Sequence, residues 1–133
     1  MNRIPAAIVD VDGTVADAYG RRIAQGIGFA RRQHGAGRTI LVVTARDARM
    51  YRRTARWLAV NLGVPFLGPF HRRSGDTRPF NVVKAEIYRL LSQRFHIVAA
   101  IDDNPSVLAA WRRLGIPEVE AVPHRHHIGM ASR

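Results

Sequence analysis

The sequence predicts a three-layer α/β/α domain built on a mainly parallel β-sheet. Three short runs, Ala6-Ala7-Ile8-Val9, Thr39-Ile40-Leu41-Val42-Val43 and His96-Ile97-Val98-Ala99-Ala100-Ile101, have the near-continuous apolar character of strands buried on both faces. Segments with apolar residues three and four apart lie between and after them, and this alternation argues for a parallel sheet with helices on both faces. The three runs lead into Asp10, Thr44 and Asp102. Open α/β sheets bind ligands beyond the carboxyl ends of their strands, where these polar residues fall.

The elements follow in order. The first strand ends at Asp10, and residues 13–38 have room for a loop, a helix and a second loop containing His34 to Gly37. After the second strand, Met50, Thr54, Trp57, Leu58 and Leu62 recur at helical spacing, and Gly63 with Pro65 closes that helix. A short apolar segment, Val64-Pro65-Phe66-Leu67, leads to a helix marked by Val83, Ile87, Leu90 and Leu91. The last helix, marked by Val107, Leu108, Trp111 and Leu114, has Asn104 as its N-cap, Pro105 at the first helical position and Gly115 at its exit. No repeat, low-complexity tract or linker interrupts the pattern, so residues 1–122 read as one domain and 123–133 as a loosely ordered tail. His124, His126 and His127 in that tail could bind a metal, but a solvated tail is the preferred reading.

Composition narrows the classes. At 133 residues the chain suits one domain with a core of normal density. It has no cysteine, which excludes a disulfide framework, a thiolate metal site and a cysteine nucleophile. No apolar run approaches the roughly 20 residues that cross a bilayer, and the N-terminal residues do not read as a signal peptide. The expectation is a soluble cytoplasmic protein without a membrane partner. Lysine plus arginine number 21 against 10 acidic residues, a formal net charge of +11, and Lys84 is the sole lysine. Arginine pairs recur at 21–22, 31–32, 52–53, 72–73 and 112–113. Such a balance favours polyanion partners, nucleic acid above all, although arginine used wherever a solvated cation suffices gives the same count.

The chemistry starts at Asp10-Val11-Asp12-Gly13-Thr14. Two carboxylates two apart would share one face of a strand and repel, and Gly13 lets the chain turn directly after Asp12. A carboxylate nucleophile that forms an aspartyl-phosphate is one route for phosphoryl transfer, and it needs a divalent cation against charge repulsion. A plain Asp-Gly turn is the alternative. Thr44 can donate to a phosphoryl oxygen, and Arg46 can clamp the same group through two N–H donors. The ammonium of Lys84 suits neutralisation of a carboxylate–phosphoryl pair. Asp102-Asp103, just before a capped helix, offers hard oxygen ligands that could hold Mg²⁺ together with Asp10, though acids are favourable near helix starts in any case.

This order of residues resembles the four motifs of the haloacid dehalogenase (HAD) superfamily of phosphohydrolases. The resemblance implies a HAD-like, Rossmann-like fold, with Asp10 as nucleophile and Asp12 as general acid/base. It implies Thr44 and Lys84 as phosphate-binding groups, and Mg²⁺ held by Asp10, the Asp12 carbonyl and Asp102 or Asp103. The segments Tyr51 to Trp57, Gly75 to Arg78, Val82 to Ile87, Ala100 to Asp103 and Trp111 to Ile116 are similar to the 3′-phosphatase domains of bacteriophage polynucleotide kinase–phosphatases. By position, the phosphate- and nucleotide-gripping arginines of that family fall on Arg21, Arg46 and Arg72, with Arg78 as a further candidate. Phe80 and Asn81 stand where acidic residues are expected, and Asn104 where arginine is usual.

Neither interval that could carry a cap domain is long enough to hold one. An uncapped site suits a polymer end better than a small metabolite that needs enclosure. The expected function is Mg²⁺-dependent removal of a 3′-phosphate from DNA or RNA ends. A nucleotidase or small-molecule phosphatase is the second reading, and a catalytically idle nucleic-acid-binding module the third. No Gly-x-x-x-x-Gly-Lys-Ser/Thr loop occurs, so 5′-kinase activity is not expected, and a separate kinase or ligase partner is possible.

Overall fold

The computed structural model describes residues 2–123. The tail histidines at 124, 126 and 127 therefore lie outside the described residues. The elements run β1 (Ile4–Val9), α1 (Ala24–Gly35), β2 (Thr39–Asp47), α2 (Tyr51–Asn61), β3 (Leu67–Arg72), α3 (Phe80–Leu91), β4 (Phe95–Asp102), α4 (Pro105–Arg113) and β5 (Glu118–Ala121), with one 3₁₀ turn before α2. The five strands form one sheet in the order β3-β2-β1-β4-β5, and every pairing is parallel.

The three apolar runs are the three interior strands. β1 lies at the centre, with Ile8 opposite Leu41 of β2 on one side and Ala100 of β4 on the other. Side-chain alternation divides the core into two layers. Ala7, Val9, Ile40, Val42, Ala99 and Ile101 face α1 and α2 through Ile27, Ala30, Leu58 and Leu62. Ala6, Ile8, Leu41, Val43, Ile97 and Ala100 face α3 and α4 through Ile87, Leu91, Val107 and Trp111. Helices thus cover both faces, as the alternating pattern predicts.

The two edge strands are the additions to the sequence reading. β3 has only Pro69 buried, and β5, Glu-Val-Glu-Ala, has no fully buried residue. An edge strand can shed the apolar continuity that identifies an interior one. The last helix starts as expected: Asn104 Oδ1 accepts from the backbone N–H of Ser106 (2.9 Å) and Val107 (3.4 Å), with Pro105 leading the helix. Only α1 separates β1 from β2, and only α2, β3 and α3 separate β2 from β4, so no cap domain is inserted among the described residues.

This connectivity positions the site. The chain moves outward from β1 through β2 to β3, then returns to the other side of β1 as β4. The carboxyl ends of β1 and β4 thus flank the point where the winding reverses, which is where an open α/β sheet leaves a crevice.

Candidate active site

Asp10 directly follows β1 and is held to β4 by its own backbone, whose N–H donates to the Ile101 carbonyl at 3.2 Å. The chain then folds back at once. The Val11 carbonyl accepts from the N–H groups of Thr14, Val15 and Ala16 at 3.0–3.1 Å. Gly13 makes the reversal possible at φ 77°, a conformation that costs a residue with a Cβ. The turn brings the Thr14 hydroxyl to Asp10 Oδ2 at 2.7 Å. Gly26 of α1 packs so closely beneath the turn that a Cβ there would lie 1.9 Å from the Thr14 carbonyl oxygen.

Asp10 Oδ1 accepts from Lys84 Nζ at 2.8 Å, and the same ammonium donates to Asp102 Oδ2 at 2.6 Å. Asp102 is held through its other oxygen by the N–H groups of Asp103 (2.8 Å) and Asn104 (3.0 Å). Asp10, Lys84, Asp102 and Asp103 are all buried. Burial and the neighbouring Asp102 carboxylate raise the Asp10 pKa from 3.8 to about 6, against the opposing pull of Lys84 and Thr14. Burial disfavours the charged form of Lys84, but the Asp10 and Asp102 carboxylates outweigh it, so the ammonium is held more firmly than usual.

Asp12 lies at the mouth and is gripped by a fork. Arg46 Nε and Nη2 donate to its two oxygens at 2.9 and 2.7 Å, and Arg46 Nη1 donates to the buried Thr54 hydroxyl at 2.9 Å. The Thr44 oxygen accepts from the Arg46 backbone N–H at 3.1 Å, leaving its own hydroxyl proton available for donation.

These groups converge on one cavity of about 190 Å³, lined by Asp10, Asp12, Thr44, Arg46, Arg72, Lys84, Asp102 and Asp103, with Phe80 and Asn104 at its edge. Arg72 is braced there by donation from Nε to the Ala45 carbonyl (3.0 Å) and from Nη1 to the Asp76 carbonyl. The other two arginines singled out from the sequence do not line it. Arg21 pairs with Asp17 at 3.0 Å, and Arg78 with Asp76 and Glu86 at 2.7 and 3.1 Å. Sequence reasoning missed Thr54, which anchors Arg46. Its signal was a hydroxyl on the otherwise apolar stripe of α2.

The donor set fits a hard divalent cation. One carboxylate oxygen from each of Asp10, Asp102 and Asp103 lies within 4.8 Å of the others. Oxygens about 2.1 Å from a shared Mg²⁺ fall within that spread. Three buried carboxylates face one buried ammonium, an excess of negative charge that a divalent ion would offset. A larger cavity, about 570 Å³, opens near Ile4, Thr39 and Phe95 at the opposite ends of the strands, and no carboxylate lines it.

A parallel sheet in which the central strand and its neighbour deliver carboxylates to one buried lysine, with no cap domain inserted among the described residues, fits one class: a HAD-type phosphatase. The model of the polynucleotide kinase PNKP phosphatase domain matches residues 4–123, and the chain belongs to that family, within the phosphatase class of hydrolases. Solved structures share the fold. A chain of the Pnkp1/Rnl/Hen1 complex superposes with a TM-score of 0.77 at 21% identity, covering 91% of this chain and 47% of that one. A chain of the Pnkp1/Rnl/Hen1 RNA repair complex gives the same TM-score and identity over 91% of this chain and 45% of that one. The class C acid phosphatase from Bacillus anthracis with tungstate bound gives 0.69 at 15% identity, covering 95% and 69%. This chain spans about half the length of the first two.

Proposed function

We propose that this chain is a Mg²⁺-dependent phosphomonoesterase that removes the 3′-phosphate from nucleic-acid ends through an aspartyl-phosphate on Asp10, with residues 1–122 as the catalytic unit. The observation that carries this reading is the Asp10 carboxylate fixed at both oxygens, by Thr14 and Lys84, within reach of Asp102 and Asp103. A nucleophile so held meets phosphorus without losing orientational freedom at that moment.

Asp10, Asp102 and Asp103 would hold Mg²⁺, with the Asp12 carbonyl as a further ligand, and the ion would supply positive charge that offsets repulsion between the anionic nucleophile and the anionic substrate. Asp10 attacks phosphorus, and the bond to the sugar oxygen breaks. Asp12 gives that leaving oxygen a proton, then takes one from the water that hydrolyses the aspartyl-phosphate, with Arg46 fixing its orientation throughout. The Thr44 hydroxyl and Lys84 ammonium stabilise the phosphoryl oxygens, and Arg72 adds charge at the mouth.

The size of the cavity favours a polymer end. At about 190 Å³ it falls below the roughly 300 Å³ at which sites begin to enclose a small ligand, so most of the substrate must lie outside. The net charge of +11 suits a polyanion, and a separate kinase or ligase partner would fit a role in nucleic-acid repair. The test is phosphate release from matched 3′- and 5′-phosphorylated DNA and RNA oligonucleotides, with a 3′-mononucleotide alongside. Release from 3′ ends that requires Mg²⁺ and vanishes in Asp10→Asn is expected. Equal efficiency on the mononucleotide would overturn the polymer reading, and inactivity with several divalent metals would favour a binding module.

A further inference from the structure

We infer that Tyr19 is a stacking platform for a nucleobase of the substrate strand, carried on the hairpin that follows Asp12, which itself lines the catalytic cavity. This inference rests on the nucleic-acid reading above and extends it to the part of the substrate that the cavity cannot hold.

The hairpin is built from the motif itself. Ala16 bridges Asp12 on one side and Arg22 on the other, and the Ile23 N–H donates to the Val15 carbonyl at 2.8 Å. The tip is therefore Asp17-Ala18-Tyr19-Gly20, beginning five residues beyond Asp12. It is ordered by its own polar groups. Asp17 Oδ1 accepts from the N–H groups of Tyr19 and Arg21 at 2.8 and 2.9 Å, and the Gly20 N–H donates to the Asp17 carbonyl at 3.1 Å.

The tip is also tied toward the site. The Gly20 carbonyl accepts from Trp57 Nε1 at 2.8 Å. Trp57 lies about one helical turn along α2 from Thr54, which accepts from Arg46, which grips Asp12. A short series of contacts thus fixes the hairpin tip relative to Asp12.

On this ordered tip Tyr19 is 82% exposed, more than any other large apolar side chain among the described residues. Single exposed aromatics are ordinary, but this one has a fixed cation over its ring. The Arg21 guanidinium stands 5.0 Å from the ring centroid while its Nε is fixed by Asp17 at 3.0 Å. A pre-ordered ring with a guanidinium over one face is a combination that binds single-stranded nucleic acid: the other face stacks a base, and the arginine meets the backbone. Tyr51, exposed at the start of α2, is a weaker candidate because His71 packs edge-on against it, with centroids 5.3 Å apart.

The experiment compares wild type, Tyr19→Ala and Tyr19→Trp on two substrates, a 3′-phosphorylated single-stranded oligonucleotide and an aryl phosphate. Oligonucleotide binding is also read directly, by fluorescence anisotropy in EDTA. A stacked base is worth about 1–3 kcal/mol, so Tyr19→Ala should raise Kd and KM for the oligonucleotide roughly 5- to 150-fold more than KM for the aryl phosphate. Tyr19→Trp should restore binding, and abasic sites near the 3′ end should weaken wild type far more than Tyr19→Ala. If wild type processes the oligonucleotide and Tyr19→Ala binds it equally well, the stacking role is overturned and the nucleic-acid reading stands. Equal losses on both substrates overturn it too, because they mark a structural role. If wild type turns over the aryl phosphate but neither binds nor dephosphorylates the oligonucleotide, both readings fall.

Discussion

Lys84→Met tests the electrostatic design of the site most sharply. The wild-type ammonium contacts Asp10 at 2.8 Å and Asp102 at 2.6 Å, and all three side chains are buried. Methionine keeps most of the volume and removes the charge, leaving the Asp10 and Asp102 carboxylates without the cation that contacts both. Removing one partner of a buried ion pair costs about 3–5 kcal/mol, because the abandoned charge cannot be hydrated. In EDTA at pH 8 the melting temperature should therefore fall by roughly 10–20 °C, given the unfolding entropy of a chain of this length. Protonation offers one escape. Asp10 titrates at about 6 even with Lys84 in place, and without the ammonium its pKa rises further, so the deficit should shrink at pH 5. Saturating Mg²⁺ should shrink it as well, and Asp102→Asn added to Lys84→Met should recover part of the loss. Thermal unfolding of the three proteins at two pH values, with and without the metal, measures each term. A Lys84→Met variant as stable as wild type in EDTA at pH 8 would refute the reasoning.

The Asp10 pKa predicts a second effect. The folded state keeps this proton up to about pH 6 while the unfolded chain releases it near 3.8, so between those values the metal-free protein loses stability as pH rises, by about 3 kcal/mol. Urea midpoints across this window should fall less steeply in Asp10→Asn, and parallel slopes would contradict the assignment. Arg46→Lys keeps the charge but loses the fork on Asp12 and the bond to Thr54, so kcat should drop by up to the roughly 10²–10⁴-fold that a positioned acid–base group contributes. Steady-state kinetics on an aryl phosphate checks this, and unchanged kcat would remove Arg46 from the positioning role. Gly26→Ala should cost about 1–3 kcal/mol or more, since its Cβ would meet the Thr14 carbonyl at 1.9 Å, whereas Gly35→Ala, with open space around it, should stabilise by about 0.4–1 kcal/mol. Chemical denaturation separates the two.

How much of this was legible in the sequence follows from burial. The interior strands announce themselves because both faces are covered, which demands runs such as Ala6 to Val9 with nothing polar in them. β3 contains Gly68 and Pro69 and ends in His71-Arg72, and β5 alternates glutamate with Val119 and Ala121, so neither carries a strand pattern that outweighs its loop character. The same physics separates the site residues. Asp10, Thr44 and Asp102 were readable because each follows or ends a buried run, and Lys84 because it is the sole lysine. The arginines were legible only in part: Arg46 and Arg72 line the cavity and Arg21 and Arg78 do not, since a guanidinium on a long stem is claimed by whichever acid the fold sets near it. Asp17 takes Arg21, Asp76 and Glu86 take Arg78, and Asp12 takes Arg46.

The choice of lysine at one position and arginine elsewhere has a physical reading as well. Between Asp10 and Asp102 the cation touches one oxygen of each, at 2.8 and 2.6 Å, in a buried space shared with Asp103. An ammonium does this as a compact point charge whose donors rotate to suit. A guanidinium would bring five N–H groups in a rigid plane into a buried space, where each unmatched donor carries a desolvation cost. At Asp12 the requirement is the opposite. A carboxylate at a cavity mouth must be held in one plane, and Arg46 does so with two donors on Asp12 and a third on Thr54. Point charge at the centre and fork at the rim fit the proposed roles, in which Asp10 would present an oxygen to phosphorus and Asp12 would keep its orientation while a proton comes and goes.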